Sequence, residues 1–556
     1  MHKSASILAR NISGTLLLLF VACSSPTASL DGHAPGIPTT SELGRVHLPV
    51  TTDVPAAQEL FDQGLSWCYG FHHEEAMRCF RAAAEADPGL AMAHWGLCYA
   101  VGPHINNMAM TAAANALAVA EAKLAASLAV ATTPLERALI SAVAHRYAIP
   151  TPSDRAELDR AYAEAMRSVY AEHGEIADVS ALYAESLMNL QPWDLWQPDG
   201  TAQPGTEEIL RVLETALVAH PMHPQINHLY IHATEASLHP EWAVPAAERL
   251  VNLAPAIGHL VHMPSHVFIR TGRYEEAAEA NRRGIAADRA IIERTGRVGF
   301  YEIYRAHNFH FLCYAAMFAG RADEAIEAAR DLVRELPADV VRAMPEFLES
   351  YLAVPYHALV RFGRWDEMIA EPAPPAWQHG ARATWHYGRG IAFAAKGQVA
   401  EAKLEQQAFA VEYAAVPAEW LAGNNPTRTV LAIGEAFLAG EVGFRGGERE
   451  QAFRDLRTAV ARSDELRYDE PWGWMMPPRH ALGALLLEAG DAAAAADVYR
   501  EDLVQHPHNG WALHGLAECQ RQIGDDVMAD ATMRRFEAAW QHATVSIGAS
   551  CFCRRQ

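Results

Sequence analysis

Residues 61–88 read FDQGLSWCYGFHHEEAMRCFRAAAEADP, and this stretch decides the fold. Apolar residues return every three to four positions, the spacing of a helix that buries one face. Gly64 sits inside the first run, Ala76 and Phe80 follow a turn, and Pro88 ends the second run. Small residues let two antiparallel helices approach closely, and a proline stops a helix because it lacks the N–H and clashes with the preceding turn. The stretch is therefore expected to form a helical hairpin.

The same punctuation recurs with a period of about 34 residues. In that frame Pro88, Pro221, Pro255, Pro337 and Pro507 share the closing position. Gly272, Gly320, Gly363, Gly397, Gly490 and Gly524 share the turn position, and all but Gly363 are followed five residues later by alanine (Ala277, Ala325, Ala402, Ala495, Ala529). Two independent anchors give one register. The pattern resembles the tetratricopeptide repeat, which implies an all-α solenoid of helical hairpins wound as a right-handed superhelix. About eight hairpins are expected, several degenerate. A stacked architecture also explains how roughly 500 residues form one body, beyond the size of an ordinary core.

Three segments go beyond the generic repeat: ALYAESLMNLQPWDLW (181–196), NHLYIHATEASLHPEWA (227–243) and GHLVHMPSHVFIRTGRYEEA (258–277). They resemble a family of large bacterial tetratricopeptide proteins with His-rich repeats, for which no activity is established. The likeness spans nearly all of the chain after its first segment.

The repeat region is expected over 56–540, with an ordered insertion at 192–205 (PWDLWQPDGTAQPG), a break near 370–381 and another at 469–478 (DEPWGWMMPP). Residues 1–22 read as an export signal: Lys3 and Arg10 precede the apolar run Leu16–Ala22. That run is too short to span a bilayer, which takes about 20 apolar residues. Phe20-Val21-Ala22-Cys23 resembles a bacterial lipobox, which implies acylation of Cys23; Ser24 after it implies outer-membrane sorting. Residues 23–55 are rich in Ser, Thr, Pro and Gly and suit a flexible tether. A periplasm-facing outer-membrane lipoprotein of the cell envelope is the expected location, with the membrane touched only through the lipid. Residues 541–556 are expected to be a mobile tail in which Cys551 and Cys553 could form a disulfide or bind a soft metal. Cys68, Cys79 and Cys98 could pair oxidatively in an exported chain.

The formal net charge is −22, which argues against nucleic acid and anionic lipid as partners and favours cations, metal ions among them. The histidines then become informative. His228 and His232 recur one period later as His262 and His266. His259, His307 and His310 fall on the same stripe of first helices, and Glu235 continues it. By the resemblance, that stripe lines the concave groove. Imidazoles facing one another across adjacent helices, about 8–10 Å apart, can share one ion. The candidate ligands are His228, His232, His262 and His266, with His259, His307 and His310 as further ligands. Ligand type suits Zn, Fe, Cu or Ni, zinc foremost. Glu235 is the candidate base should a metal-bound water be used for hydrolysis. The alternative is a metal-free periplasmic scaffold whose groove grips a peptide or protein partner. His480 and His514 are read as structural, and Glu74 and Glu75 as a solvated first turn. Tyr230, Tyr301, Tyr304, Trp193 and Trp196 are read as packing more readily than as groove walls. No His-Glu-x-x-His, Gly-x-Ser-x-Gly or phosphate-cradling glycine loop is present.

Overall fold

The computed structural model describes residues 41–296 and 299–554. The export signal, the lipobox with Cys23 and most of the tether lie outside the described residues. Helices account for 69% of the described residues. Among the described residues, the β-structure in strands is a single ladder pairing Leu421–Ala422 with Asn425–Pro426. The fold is all-α, built of tetratricopeptide-like helical hairpins. The chain divides into two compact units: Met1–Ala233 with Asn252–Leu260 and Ala287–Val298, and Thr234–Val251 with Val261–Ala286 and Gly299–Gln556.

The first unit opens with the hairpin Pro55–Tyr69 and His73–Ala86. Phe61, Leu65, Ala76 and Phe80 are fully buried in it. Gly64 and Gly96 make the packing possible, since a Cβ on either would lie 2.6 or 2.5 Å from the Phe80 ring. The pairs Ala91–Ala100 with Ala112–Leu128, Pro134–Ala144 with Ala156–His173, and Ala177–Met188 with Thr206–Ala219 follow. These Ala-rich pairs lack the glycine–alanine spacing of the repeat, so punctuation alone undercounts the hairpins. Helix Pro134–Ala144 starts at a capping box between Thr133 and Glu136. The insertion is ordered: the Trp193 indole donates to Ile105 O and Asn106 Oδ1, each 3.1 Å away, and that of Trp196 to Ala233 O at 2.8 Å. One expectation fails here. Glu75 is 4% exposed rather than solvated, because Arg78 binds both its oxygens and His72 caps its backbone N–H.

In the second unit the repeat is most regular. Its hairpins include Tyr301–Phe318 with Ala322–Glu335, His379–Ala395 with Val399–Ala415, and Thr427–Arg445 with Arg449–Asp464. Pro478–Glu488 with Ala492–Gln505 and Gly510–Gln522 with Asp526–Ala539 complete it. All six turn glycines have positive φ, from +63° at Gly363 to +89° at Gly490, where a side chain would crowd the backbone. The five alanines that follow are completely buried. The C-terminal residues are not a loose tail. Ser550 Oγ lies 2.5 Å from the Tyr499 hydroxyl, and Cys551 and Cys553 are buried and joined by a disulfide. Cys68, Cys79 and Cys98 remain free thiols in the first unit.

Candidate metal centre

Helix Pro264–Arg270 carries His266, and Met263, itself in helical φ and ψ, links it to His262 at the end of Gly258–His262. A helical turn therefore sets the spacing of the two rings. Their Nε2 atoms are 2.7 Å apart. His262 and His266 are 0% and 1% exposed. His307, on helix Tyr301–Phe318, brings a third imidazole, and one nitrogen from each ring lies within 4.8 Å of the others. Phe311 packs on all three rings at centroid distances of 4.7–5.0 Å.

The protons can be assigned from the partners. Asn281 Nδ2 donates to Ala277 O at 2.7 Å, so its amide oxygen faces His262 Nδ1, also at 2.7 Å. Oxygen cannot donate there, and His262 therefore carries its proton on Nδ1. His266 Nδ1 lies 2.6 Å from Glu235 Oε2 and 2.6 Å from Glu470 Oε2. Burial pushes both carboxyls up to about 8, and the charge of Glu235 adds to the rise at Glu470. Two carboxyl oxygens converge on His266 Nδ1, and an N–H there is the donor that both can accept, which places the His266 proton on Nδ1. Both Nε2 atoms then present lone pairs to each other at 2.7 Å. Only a positive charge between or beside them makes that contact favourable: a proton, or a metal ion. The edge of a tetrahedral Zn–N site is about 3.3 Å, so the rings need part by roughly half an ångström to admit zinc.

A second triad lies in the first unit. Helix Pro224–Thr234 carries His228 and His232, and His259 sits on Gly258–His262. His228 Nε2 is 3.1 Å from His259 Nε2, and His228 Nδ1 is 2.9 Å from Gln225 Oε1. His232 faces the Trp193 ring edge-on at 5.2 Å, and Phe71 lies 4.8–6.3 Å from all three imidazoles. His73 and His104 stack beside Phe71. Burial lowers His72 and His73 to about 4 and His104 further still, so these rings are neutral at pH 7. Gly258 admits the helix: a Cβ there would fall 1.9 Å from Asp288 Oδ1.

The four-histidine square expected from spacing thus resolves into two triads, one per unit. Each is completed by one of the further candidate ligands, His259 or His307. His310 stands apart, with its ring 5.4 Å from Tyr351 and its basicity pulled down to about 3 by burial and His357. Glu235 lies on the Nδ1 edge of His266, behind the ring relative to Nε2. His480 is fully buried on Asp502 at 2.8 Å, and His514 packs against Phe536. Tyr230, Tyr301 and Tyr304 are buried side chains. Glu470 and Asn281 escaped the sequence reading. The available signal for Glu470 was an acidic pair inside a Trp- and Pro-rich break.

No protein-family model matches the chain, and no curated protein matches it. Solved structures similar to it include the crystal structure of the APC/C hetero-tetramer Cut9-Hcn1, at 13% identity and a TM-score of 0.30, covering 91% of this chain and 77% of that one. The human IFIT1 dimer with PPP-AAAA is similar at 12% identity and a TM-score of 0.33, covering 82% and 91%. At these values nothing of those proteins' partners or ligands carries over to this chain.

Proposed function

We propose that this protein is an envelope-tethered helical-repeat scaffold whose second unit holds a divalent transition metal, zinc foremost, on Nε2 of His262 and His266 with His307. His228, His232 and His259 form the corresponding set in the first unit. One observation carries this reading: both Nδ1 atoms of the His262–His266 pair are committed as donors, so two basic nitrogens converge. Metal-bound histidines commonly donate their other N–H to a carboxylate or carbonyl, which is the role of Glu235, Glu470 and Asn281 here. Glu235 in this reading orients His266. A coordination position left to water would lower the pKa of that water and open hydrolytic chemistry. The metal-free alternative is a proton shared between the two Nε2 atoms, within a scaffold that binds a peptide or protein.

Elemental analysis of untagged protein separates these. Near-stoichiometric metal is expected, with the second unit's share lost in His262→Ala/His266→Ala and the first unit's in His228→Ala/His259→Ala. Protein that purifies without metal and takes up no zinc at neutral pH would overturn the proposal. Acylation at Cys23 is expected to place the chain in the membrane fraction; a Cys23→Ser chain that still fractionates with membranes argues against the tether.

A further inference from the structure

Helix Thr427–Arg445 carries Glu441 into the interior of the second unit, where it is 0% exposed. Neither carboxyl oxygen has a hydrogen-bond partner. Burial pushes the group up to about 8, so it is a neutral acid at pH 7. Beside it lie Cys551 and Cys553, 4% and 1% exposed, and one carboxyl oxygen and both sulfurs lie within 4.8 Å of one another. The segment that delivers the cysteines is fixed along its length. Ser550 Oγ donates to His480 O at 2.8 Å, Arg445 donates to Cys553 O, and Arg554 binds both oxygens of Glu518. Phe552 fills the space over Gly363, where an added Cβ would meet it at 2.8 Å.

A buried carboxyl without a partner is costly, and a disulfide sulfur is a poor acceptor. The disulfide form therefore leaves Glu441 unexplained. The dithiol form explains it. We propose that Glu441, Cys551 and Cys553 constitute a redox-gated zinc site: closed as a disulfide when oxidised, and binding Zn²⁺ through two thiolates and the carboxylate when reduced.

An external dithiol supplies the electrons. Its two sulfurs become a disulfide while the Cys551–Cys553 bond breaks, and both protons pass to the cysteines. Zn²⁺ then displaces the two thiol protons and the Glu441 carboxyl proton to solvent. The donor set selects the ion: Cu⁺ disfavours the carboxylate, Mg²⁺ and Ca²⁺ disfavour thiolates, and zinc accepts both. Three anionic ligands leave one net negative charge beside the Arg445–Glu488 ion pair.

The test uses the full chain, reduced with dithiothreitol without oxygen, desalted, and titrated with Co²⁺ and then Zn²⁺. One Co²⁺ per chain with sulfur-to-cobalt charge-transfer absorption is expected, absent from the oxidised chain and displaced by Zn²⁺. The band should vanish in Cys551→Ser/Cys553→Ser and persist in His262→Ala/His266→Ala, which separates this site from the histidine centres. Glu441→Gln, which retains shape and can still form the disulfide, should weaken Zn²⁺ binding at least tenfold. A reduced chain without the band, a band that survives the double serine variant, or unchanged Zn²⁺ affinity in Glu441→Gln would each overturn the proposal.

Discussion

Asn281 decides the chemistry of His262 more firmly than any charge does. Its amide is oriented by Ala277 O, so it can only accept from the imidazole. Asn281→Leu removes that acceptor, frees His262 to move its proton to Nε2, and takes away the lone pair a metal needs. Zinc affinity at the second unit's centre should fall by about 10–100-fold, the usual effect of losing a residue that orients a ligand. Competition against a chromophoric chelator would read the change; Asn281→Asp, which still accepts, should bind within a few-fold of the parent. Asp502 plays a comparable structural part. It accepts from His480 Nε2 at 2.8 Å, His506 Nδ1 at 3.2 Å and Asn509 Nδ2 at 3.0 Å, with no exposure. Burial alone would raise its pKa, but His480 and His506 hold it well below the carboxylate range. Asp502→Ala strands three buried donors and should cost about 3 kcal/mol, read as a lower urea midpoint at pH 7.

At the scale of helices and turns, the repeat was legible because its determinants are local. A left-handed turn asks for glycine, a tight crossing for alanine and a stop for proline, and each leaves its mark within one hairpin. The prediction that tests this compares two glycines with the same turn role. At Gly490, φ +89°, an added Cβ meets nothing within 4 Å. At Gly272, φ +76°, it would lie 2.3 Å from Pro507 O and 2.9 Å from His508 Cβ. Gly490→Ala should therefore cost only the backbone strain, about 1–2 kcal/mol. Gly272→Ala should cost that plus displacement of the neighbouring turn, roughly twice as much. Equal losses in chemical denaturation would mean that packing at Gly272 contributes little. The site was half legible for the converse reason. Helical spacing placed the histidines on one stripe, yet the partners that set their protons come from elsewhere. Glu470 arrives from a segment that reads as a break, and Asn281 from a second helix that carries no signal of its own. Sequence alone makes the Cys551–Cys553 segment look mobile, because its anchor, Phe552 seated over Gly363, joins residues far apart in sequence.

At the scale of the whole molecule, burial of so many ionisable groups dictates how stability follows pH, and the two classes act in opposite directions. His72, His73, His357 and His480 are lowered from 6.5 to about 4, and His310 to about 3, burial being the largest cause in each. The unfolded chain takes up protons below pH 6.5 that the folded chain refuses. This contribution is complete above 6.5 and is lost as pH falls through about 4, or about 3 for His310, up to roughly 3–5 kcal/mol per ring. Buried carboxyls do the reverse. Glu349 and Asp469 are raised to about 7, and Glu235, Glu441 and Glu470 to about 8, again chiefly by burial. Their contribution is complete below the unfolded values near 4 and is lost as pH rises through 7 to 8. Between about 4.5 and 6.5 the two trends offset each other. Above 6.5 only the carboxyls still titrate differently, so stability declines toward pH 8.5; below 4.5 the histidines prevail and it declines again. Calorimetry on chelator-treated, oxidised protein should show a broad maximum in melting temperature near pH 5–6, with a fall of several degrees by pH 8.5. Added zinc should flatten the alkaline limb, because an ion binding the folded histidine centre stabilises it most where competing protons are scarce. A melting temperature that rises steadily from pH 5.5 to 8.5 without metal would mean that the buried carboxyls, Glu235 and Glu470 among them, are ionised in the folded chain.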